Sequence, residues 1–574
     1  MNSWLDEKDE WEGIKGFPQN RTLYVDQFSE GNPLTSNDFD SFQAKDLESV
    51  FEHYQPIKEV ELRNERGEYV VELFPFRSID DFEDEQIIER SELLAAERDK
   101  IDTYNDMIRQ IERNKALRNT LSDESTFTDL KNCIASLIDE LAQKKALDNS
   151  ITQNDYLLLK DLIKHVVFMD PSRAAAKNIF LSDSFYADTR QKLTNDLQLW
   201  ASILERPDLA KMVETCRIRR NEAELNLQRN LLQIHEDTRA LEVTYRTLES
   251  FFVNAGQESE RCLFLMSVNN DDMHSSDSKG SIAIQKELKK HYDTLSLRNS
   301  YSLFVIPGYL GEASTLREWG KTAHNNKVML VTDFKDCESF RTLKDELEDT
   351  NLQGHDVFLS NVIVTCNYLL GRKKSELAYE DDDVYIPGSG ALAGRMANTK
   401  EIVIAQGVVG KDFGILDGVQ GTRLDLLKAE IAFLVDQGVI PLVESEGRTL
   451  AISNRSLYNG SAFSLQEYPI VRVLDWVNKV LMNHMHEIAL ETWDPYVSPK
   501  KLESKIRDFL DHYRGYQLLF SGYKLGMPKQ DPKTKIVSVE ISITPFFAAK
   551  NFVIKLEADN KNYMSANTSV ERQP

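Results

Sequence analysis

Cysteine is scarce in this sequence of 574 residues: Cys133, Cys216, Cys262, Cys337 and Cys366 are scattered, their total is odd, and no CxxC occurs. That argues against a disulfide framework and a cysteine zinc site, and implies a reducing compartment in which thiols serve as small core residues. Positive charge is also short, with 69 Lys and Arg against 93 Asp and Glu and a formal charge of −24. So acidic a surface repels phosphate backbones and anionic lipid, so neither nucleic acid nor membrane is an expected partner. No stretch approaches the roughly 18 apolar residues of a membrane span. The opening MNSWLDEKDEWEG also lacks the apolar run of a signal peptide. The expected location is the cytoplasm. Hydrolase signatures are missing too, since neither GxSxG nor HExxH occurs.

Three candidate sites each have a plainer reading. The small-residue run from Gly388 to Gly394 (GSGALAG) invites a phosphate-loop reading, but no Lys-Ser/Thr follows its last glycine and an acidic segment precedes it. Close backbone packing is the alternative, and Ser389 within the run has no identified histidine partner. His484 and His486 stand two apart on a helix and so point about 200° away from each other, which prevents them from sharing an ion with Glu487. His486 and Glu491 lack a third ligand. Glu380, Asp381, Asp382 and Asp383 lack the alternation and the glycine of a calcium loop and read as a solvated turn. The expectation is a chain with no catalytic, cofactor or metal residue, not an enzyme.

What is present is a rhythm. CLFLMSV (262–268), SLFVIPG (302–308), KVMLVTD (327–333) and NVIVTC (361–366) are continuous apolar runs, as strands covered on both faces must be. Between them lie IAIQKELKKHYDTL, ASTLREWGKTAH and SFRTLKDELEDT, with apolar residues three or four apart and a charged opposite face. Parallel strands need such crossovers, so the middle third is expected to be an α/β sheet domain.

Upstream, RTLYVDQF (21–28) stands between turn-like GFPQN and SEGNP. It reads either as an arm that adds a strand to another subunit's sheet or as a strand of its own domain. As an arm, its deletion would leave a folded subunit. EYVVELFPFRSIDDF then gives a short strand, a proline break and the start of a long helix on which Ile87, Leu94, Ile101, Ile108 and Ile111 keep near-heptad spacing. Further helices follow to Phe252, and RIRR (217–220) among them reads as a solvated face or a site for an acidic partner. Downstream, Pro499 at a first helical turn and Gly515 past the end bracket a helix. In IVSVEISIT the residues Val537, Val539, Ile541 and Ile543 share one face of a half-exposed strand, and KNFVIKLEA is a further strand.

The SGALAG run, the following VVG and GVQG, VIPLVESEGRTLAISNRSLYN (439–459) and YPIVRVLDWVNKVLMNHMHEIALETWDPYVSPKKLESKIRDFLDHYRG (468–515) together resemble the C-terminal half of contractile tail-sheath proteins. The large subunit of the type VI secretion sheath is the nearest in pattern, and LEVTYRTLESFFVN (241–254) is similar to the helix that opens its sheath domain. The likeness covers roughly 241–558. FRSIDDF followed by LLAAERDKI is similar instead to the C-terminal portion of the small sheath subunit, which in the usual two-gene arrangement is a separate chain. Either residues 69–121 copy small-subunit features or two helix starts coincide.

The resemblance implies a tail-sheath-like α/β core with an N-terminal helical region and a C-terminal α+β domain with extended, strand-exchanging termini. The expected divisions are 1–60 arm and linker, 61–255 helical region, 256–465 core, 466–558 C-terminal domain and 559–574 tail. It also implies a structural subunit that polymerises with itself and a TssB-like small sheath subunit around an Hcp-like inner tube on a baseplate. Contraction then propels the tube out of the cell, and a Clp-family ATPase dismantles the spent sheath. Strand exchange is expected from Thr22, Leu23, Tyr24, Val25 and Phe28, and from Ile536, Val537, Val539, Ile541, Ile543, Phe552 and Ile554. Lys500, Lys501, Lys505 and Arg507 face the tube or form a plain solubilising face. A baseplate or sheath-cap protein and a nucleotide-binding enzyme are the rival classes.

Overall fold

The four continuous apolar runs of the middle third are strands, and they belong to a mixed sheet of nine. In chain order these are β1 (Thr22–Asp26), β2 (Phe42–Gln43), β3 (Leu263–Ser267), β4 (Leu303–Tyr309), β5 (Met329–Asp333), β6 (Val362–Cys366), β7 (Ile415–Leu416), β8 (Ile440–Ser445) and β9 (Arg448–Ala451). Across the sheet the order is β7-β9-β8-β6-β5-β4-β1-β3-β2. The six strands from β8 to β3 are mutually parallel, and antiparallel strands close both ends. The crossover helices are Lys279–Tyr292, Ala313–Asn325 and Phe340–Thr350, where the sequence period places them. The first is capped by the Ser278 side chain and the third by Ser339, each accepting from an amide of the first turn. Leu23, Val25, Phe304, Leu330, Val362 and Trp319 share one core over the sheet.

The computed structural model describes residues 13–29, 39–147, 151–205, 208–275, 277–377, 382–489, 491–515 and 518–547, with the backbone of Phe552–Leu556 and Thr568–Arg572. The chain forms two compact units. The first takes in residues 1–58, 75–81 and 238–574, so that the core, the C-terminal region and the stretch read as an arm are parts of one body. A helix of 47 residues, Leu209–Ala255, leaves the second unit at Asp237 and enters the first at Thr238. There its buried Tyr245, Leu248 and Phe251 replace the charged pattern of its earlier turns. In the C-terminal region, helices Tyr468–Glu487 and Ser498–His512 pack Trp476, Ile506 and Phe509 with Ile14 and Phe17. The Trp476 indole donates to the Phe17 carbonyl at 3.1 Å.

The second unit, residues 59–74 and 82–237, is largely helical. Glu92–Arg113, Glu124–Gln143, Ala187–Ile203 and the first part of the long helix surround a core that includes Met107, Leu121, Leu137, Leu197 and Trp200. A buried ion pair, Lys177 to Glu140 at 2.7 Å, lies within this unit. RIRR is engaged in this unit too: Arg217 pairs with Glu112 at 3.0 Å, Arg219 with Ser202, and Arg220 with Asn221 at 2.7 Å.

Candidate functional site

The N-terminal candidates sit in the middle of the main sheet. Thr22, Leu23, Tyr24, Val25 and Asp26 are all buried, with Leu23 in register with Phe264 on one side and Phe304 on the other. Just past the strand, the Phe28 amide donates to Ser267 Oγ at 3.2 Å and its carbonyl accepts from the Tyr245 hydroxyl at 3.0 Å. Both edges of β1 are therefore used inside its own chain. The reading of this segment as an arm gives way to the reading as a domain strand, because a run with no polar alternation leaves no face for water.

The C-terminal candidates form an irregular hairpin. Gly522–Leu525 pairs antiparallel with Ile541–Thr544, and Lys529–Gln530 with Val537–Ser538. The pairing shifts by one residue between the two ladders. Val537, Val539, Ile541 and Ile543 turn toward the core built on Trp476 and Phe509, while Ser538, Glu540, Ser542 and Thr544 are exposed. Each strand of the Gly522–Leu525 ladder has one partner, and so one unpaired edge, among the described residues. Ile536, Phe546 and Phe547 beside it are 65%, 41% and 57% exposed. Phe552–Leu556, which carries Phe552 and Ile554, pairs antiparallel with Thr568–Arg572. The rest of the stretch read as a tail lies outside the described residues.

Helix Ser498–His512 buries Leu502, Ile506, Phe509 and Leu510 and turns Lys500 and Lys501 outward, with Lys505 half-buried. Arg507 is bound by Glu503 at 2.5 Å, and Asp508 and Asp511 share the exposed side. The basic face is thus three lysines in the first half of the helix rather than a continuous stripe. Sequence reasoning passed over one further surface: Tyr69, Val71 and Leu73, on the strand Tyr69–Pro75, are 69%, 57% and 60% exposed. Their period-two spacing is a legible signal of a shared face.

At the carboxyl ends of the parallel strands, where α/β proteins commonly bind ligands, this chain places its own side chains. Asp333 closes β5 and accepts from the Gly308 amide at 2.9 Å, the Ser389 amide at 2.8 Å, and the hydroxyls of Ser389 and Thr365. Burial pushes its carboxyl upward against those four hydrogen bonds. Asp26, at the end of β1, is pushed up to about 7, chiefly by burial, with the Gln27 amide and Thr244 hydroxyl opposing. Ser389 opens helix Ser389–Ala397, so a carboxylate of the protein already occupies the helix N-terminus that a phosphate would need. Close packing explains the glycines. A Cβ on Gly390 would stand 2.5 Å from the Thr247 carbonyl oxygen, and one on Gly394 would stand 2.4 Å from that of Phe251.

Among the described residues no group of three His, Cys, Asp or Glu is placed to hold a metal. His486 Nδ1 donates to the Leu295 carbonyl, 3.2 Å away, while His484 lies 3.5 Å from Glu487. Glu380 and Asp381 lie outside the described residues. Asp382 is exposed, and Asp383 accepts from the Lys374 amide at 2.8 Å. No described helix is long and apolar enough to cross a membrane.

Three family models match the chain: the TssC/VipB-like N-terminal region over 142–231, the type VI secretion system TssC/VipB central domain over 233–459, and the TssC/VipB-like C-terminal domain over 467–571. Solved structures that resemble it include the contracted helical sheath of the anti-feeding prophage, with a TM-score of 0.40 and 13% identity over 55% of this chain and 81% of that one. The contracted sheath complex of the extracellular contractile injection system PVC gives 0.39 and 13% over 56% and 81%. The anti-feeding prophage baseplate gives 0.41 and 13% over 55% and 81%. No curated protein matches the sequence.

Proposed function

The chain belongs to the TssC/VipB family of the type VI secretion system, its three family domains spanning 142–571, and on that premise we propose that it polymerises around an inner tube and contracts to drive that tube out of the cell. It is a structural sheath subunit of a contractile injection system, in a family that is not a known enzyme class. The family implies self-association and a partner sheath subunit. The finer partners of the proposal are an Hcp-like tube, a baseplate on which the sheath starts, and a Clp-family ATPase that dismantles it. The proposed location is the cytoplasm, a reading supported by the five free, buried thiols.

One observation carries the reading: each strand of the Gly522–Leu525 ladder has a single partner among the described residues, and exposed Ile536, Phe546 and Phe547 stand beside it. An open edge with apolar residues beside it is completed by a strand from another chain. A contact of that kind, made head to tail without closing a ring, builds a helical lattice. Strand exchange is accordingly proposed for Ile536–Thr544 and Phe552–Leu556 and withheld from β1. Lys500, Lys501 and Lys505 are proposed to face the tube wall. Electron microscopy of the purified full-length protein tests the function. Long hollow tubes are expected, discrete particles would move the assignment to a baseplate or cap, and a melt raised by nucleotide would favour an enzyme.

A further inference from the structure

Two features of the family assignment fit together in an unexpected way. The matched domains begin at residue 142, yet the strand that completes the main sheet is Thr22–Asp26. Within 142–571, β3 and β4 are not paired with each other, because each is hydrogen-bonded to β1 from opposite sides. Take β1 away and the two strands stand two spacings, about 10 Å, apart with an empty slot between them. The family portion alone therefore carries a sheet with a missing interior strand. The same division runs through the helical unit. Met107, Leu121 and Leu137 lie upstream of residue 142, and Leu159, Leu197 and Trp200 lie downstream, yet all six share one core.

We propose that residues 13–141 are a small sheath subunit's contribution carried in cis, so that this one chain is a complete sheath protomer and needs no separate small subunit. The inference rests on the sheath reading for its biological meaning, but its structural content stands on the slot and the divided core. It also gives a reason for the small-subunit-like pattern at 69–121: that segment lies within the upstream part that fills both gaps. The partner subunit implied by the family is, in this protein, attached to the same backbone. Covalent linkage raises its effective concentration and fixes the ratio at one to one.

The test keeps the full chain. A site-specific protease sequence is inserted after Leu147, and the protein is purified intact and then cut. The two fragments are expected to elute together at the position of the uncut chain and to melt together. Fragments that separate and leave the downstream piece soluble and folded would overturn the inference. In parallel, the intact chain is produced with no other sheath gene and again beside a small sheath subunit from a two-subunit system, and both preparations are imaged. Tubes from the single chain that exclude the added subunit support the inference. Tubes that require the added subunit, or incorporate it one to one, overturn it. No tubes in either preparation, with fragments that stay together, would remove the sheath reading while upholding completion in cis.

Discussion

The strand Thr22–Asp26 and the strand Ile541–Thr544 are of similar length and similarly rich in β-prone residues, yet they live in different environments. The first is buried at every position and paired on both edges. The second alternates between half-buried and exposed and is paired along one edge. A strand between two others has already spent its hydrogen-bonding capacity and serves folding, whereas a strand with one neighbour retains capacity for another chain. In a structural sheath subunit, that difference is what the proposed strand exchange turns on: β1 holds the subunit together, and the hairpin is the strand proposed to join subunits.

The sharpest way to break this contrast is to put a charge into each strand. Val25→Asp places an unpaired carboxylate at a fully buried site in the middle of the sheet. Such burials cost roughly 3–5 kcal/mol or more, and no soluble folded chain is expected. Val539→Asp, on the half-buried hairpin, is expected to cost about 1 kcal/mol and to leave a folded protein. Soluble yield and urea unfolding measure both, and equal losses would erase the distinction. Deletion of residues 1–30 belongs with the first case. It removes an interior strand, so failure to fold replaces the folded subunit that an arm would leave behind.

Next in size is the layer above β1. Tyr24 meets Phe251 edge-on with ring centres 5.9 Å apart, and Gly394 packs against the Phe251 backbone from the other helix. In Gly394→Ala the new methyl would meet main-chain atoms that cannot rotate away. A loss of about 3 kcal/mol is expected, read as a lower urea midpoint with an unchanged slope. A change near zero would mean the helices have slack and that β1 is not clamped.

The two regions are also expected to differ in their response to pH. The Asp26 carboxyl is raised from 3.8 to about 7 in the fold. A folded pKa above the unfolded value means that the native state holds its proton longer. The cost therefore builds as pH climbs from about 4 to about 7 and is constant above that. Asp26→Asn is expected to remove a cost on the order of 2–4 kcal/mol at pH 8 and to gain nothing at pH 4. Asp531 at the hairpin turn is held low by the amides of Lys533 and Thr534 and is fully exposed. A folded pKa below the unfolded value gives stability that is lost as pH falls into the acid range, so Asp531→Asn is expected to flatten only the acid limb of the melt's pH profile and to leave its slope between about pH 5 and pH 8 unchanged.

Much of this fold was legible because one rule, continuity of apolar residues, marks strands covered on both faces. It located β3 to β6 from their own residues. The same rule applies to Leu23, Tyr24 and Val25, but their distance from the other strands, some 240 residues along the chain, conceals where they pair. The glycines of the 388–394 run were recognisable as close-packing residues, while their partners, Thr247 and Phe251, are set by tertiary geometry. Alternation at Val537, Val539, Ile541 and Ile543 gave the inward face correctly, since period two states its own orientation. The Asp333 network was hidden, because its donors come from the ends of two strands and the start of a helix that no local pattern connects.

The smallest effect on stability belongs to the lysines of helix Ser498–His512, and it is there that folding and assembly separate most cleanly. Lys500 and Lys501 are exposed, and the buried face of the helix is Leu502, Ile506, Phe509 and Leu510. Reversing Lys500, Lys501 and Lys505 to Glu is expected to change unfolding by no more than about 0.5 kcal/mol. If the face meets an acidic tube wall, the same change abolishes co-sedimentation with tubes. For the unsubstituted protein that binding weakens as salt rises past 0.15 M, because charges on an exposed helix are screened within about 8 Å. Undiminished, salt-independent co-sedimentation of the triple variant would return these lysines to a solubilising role. The hairpin edge would then remain the feature that distinguishes an assembling surface from a merely wetted one.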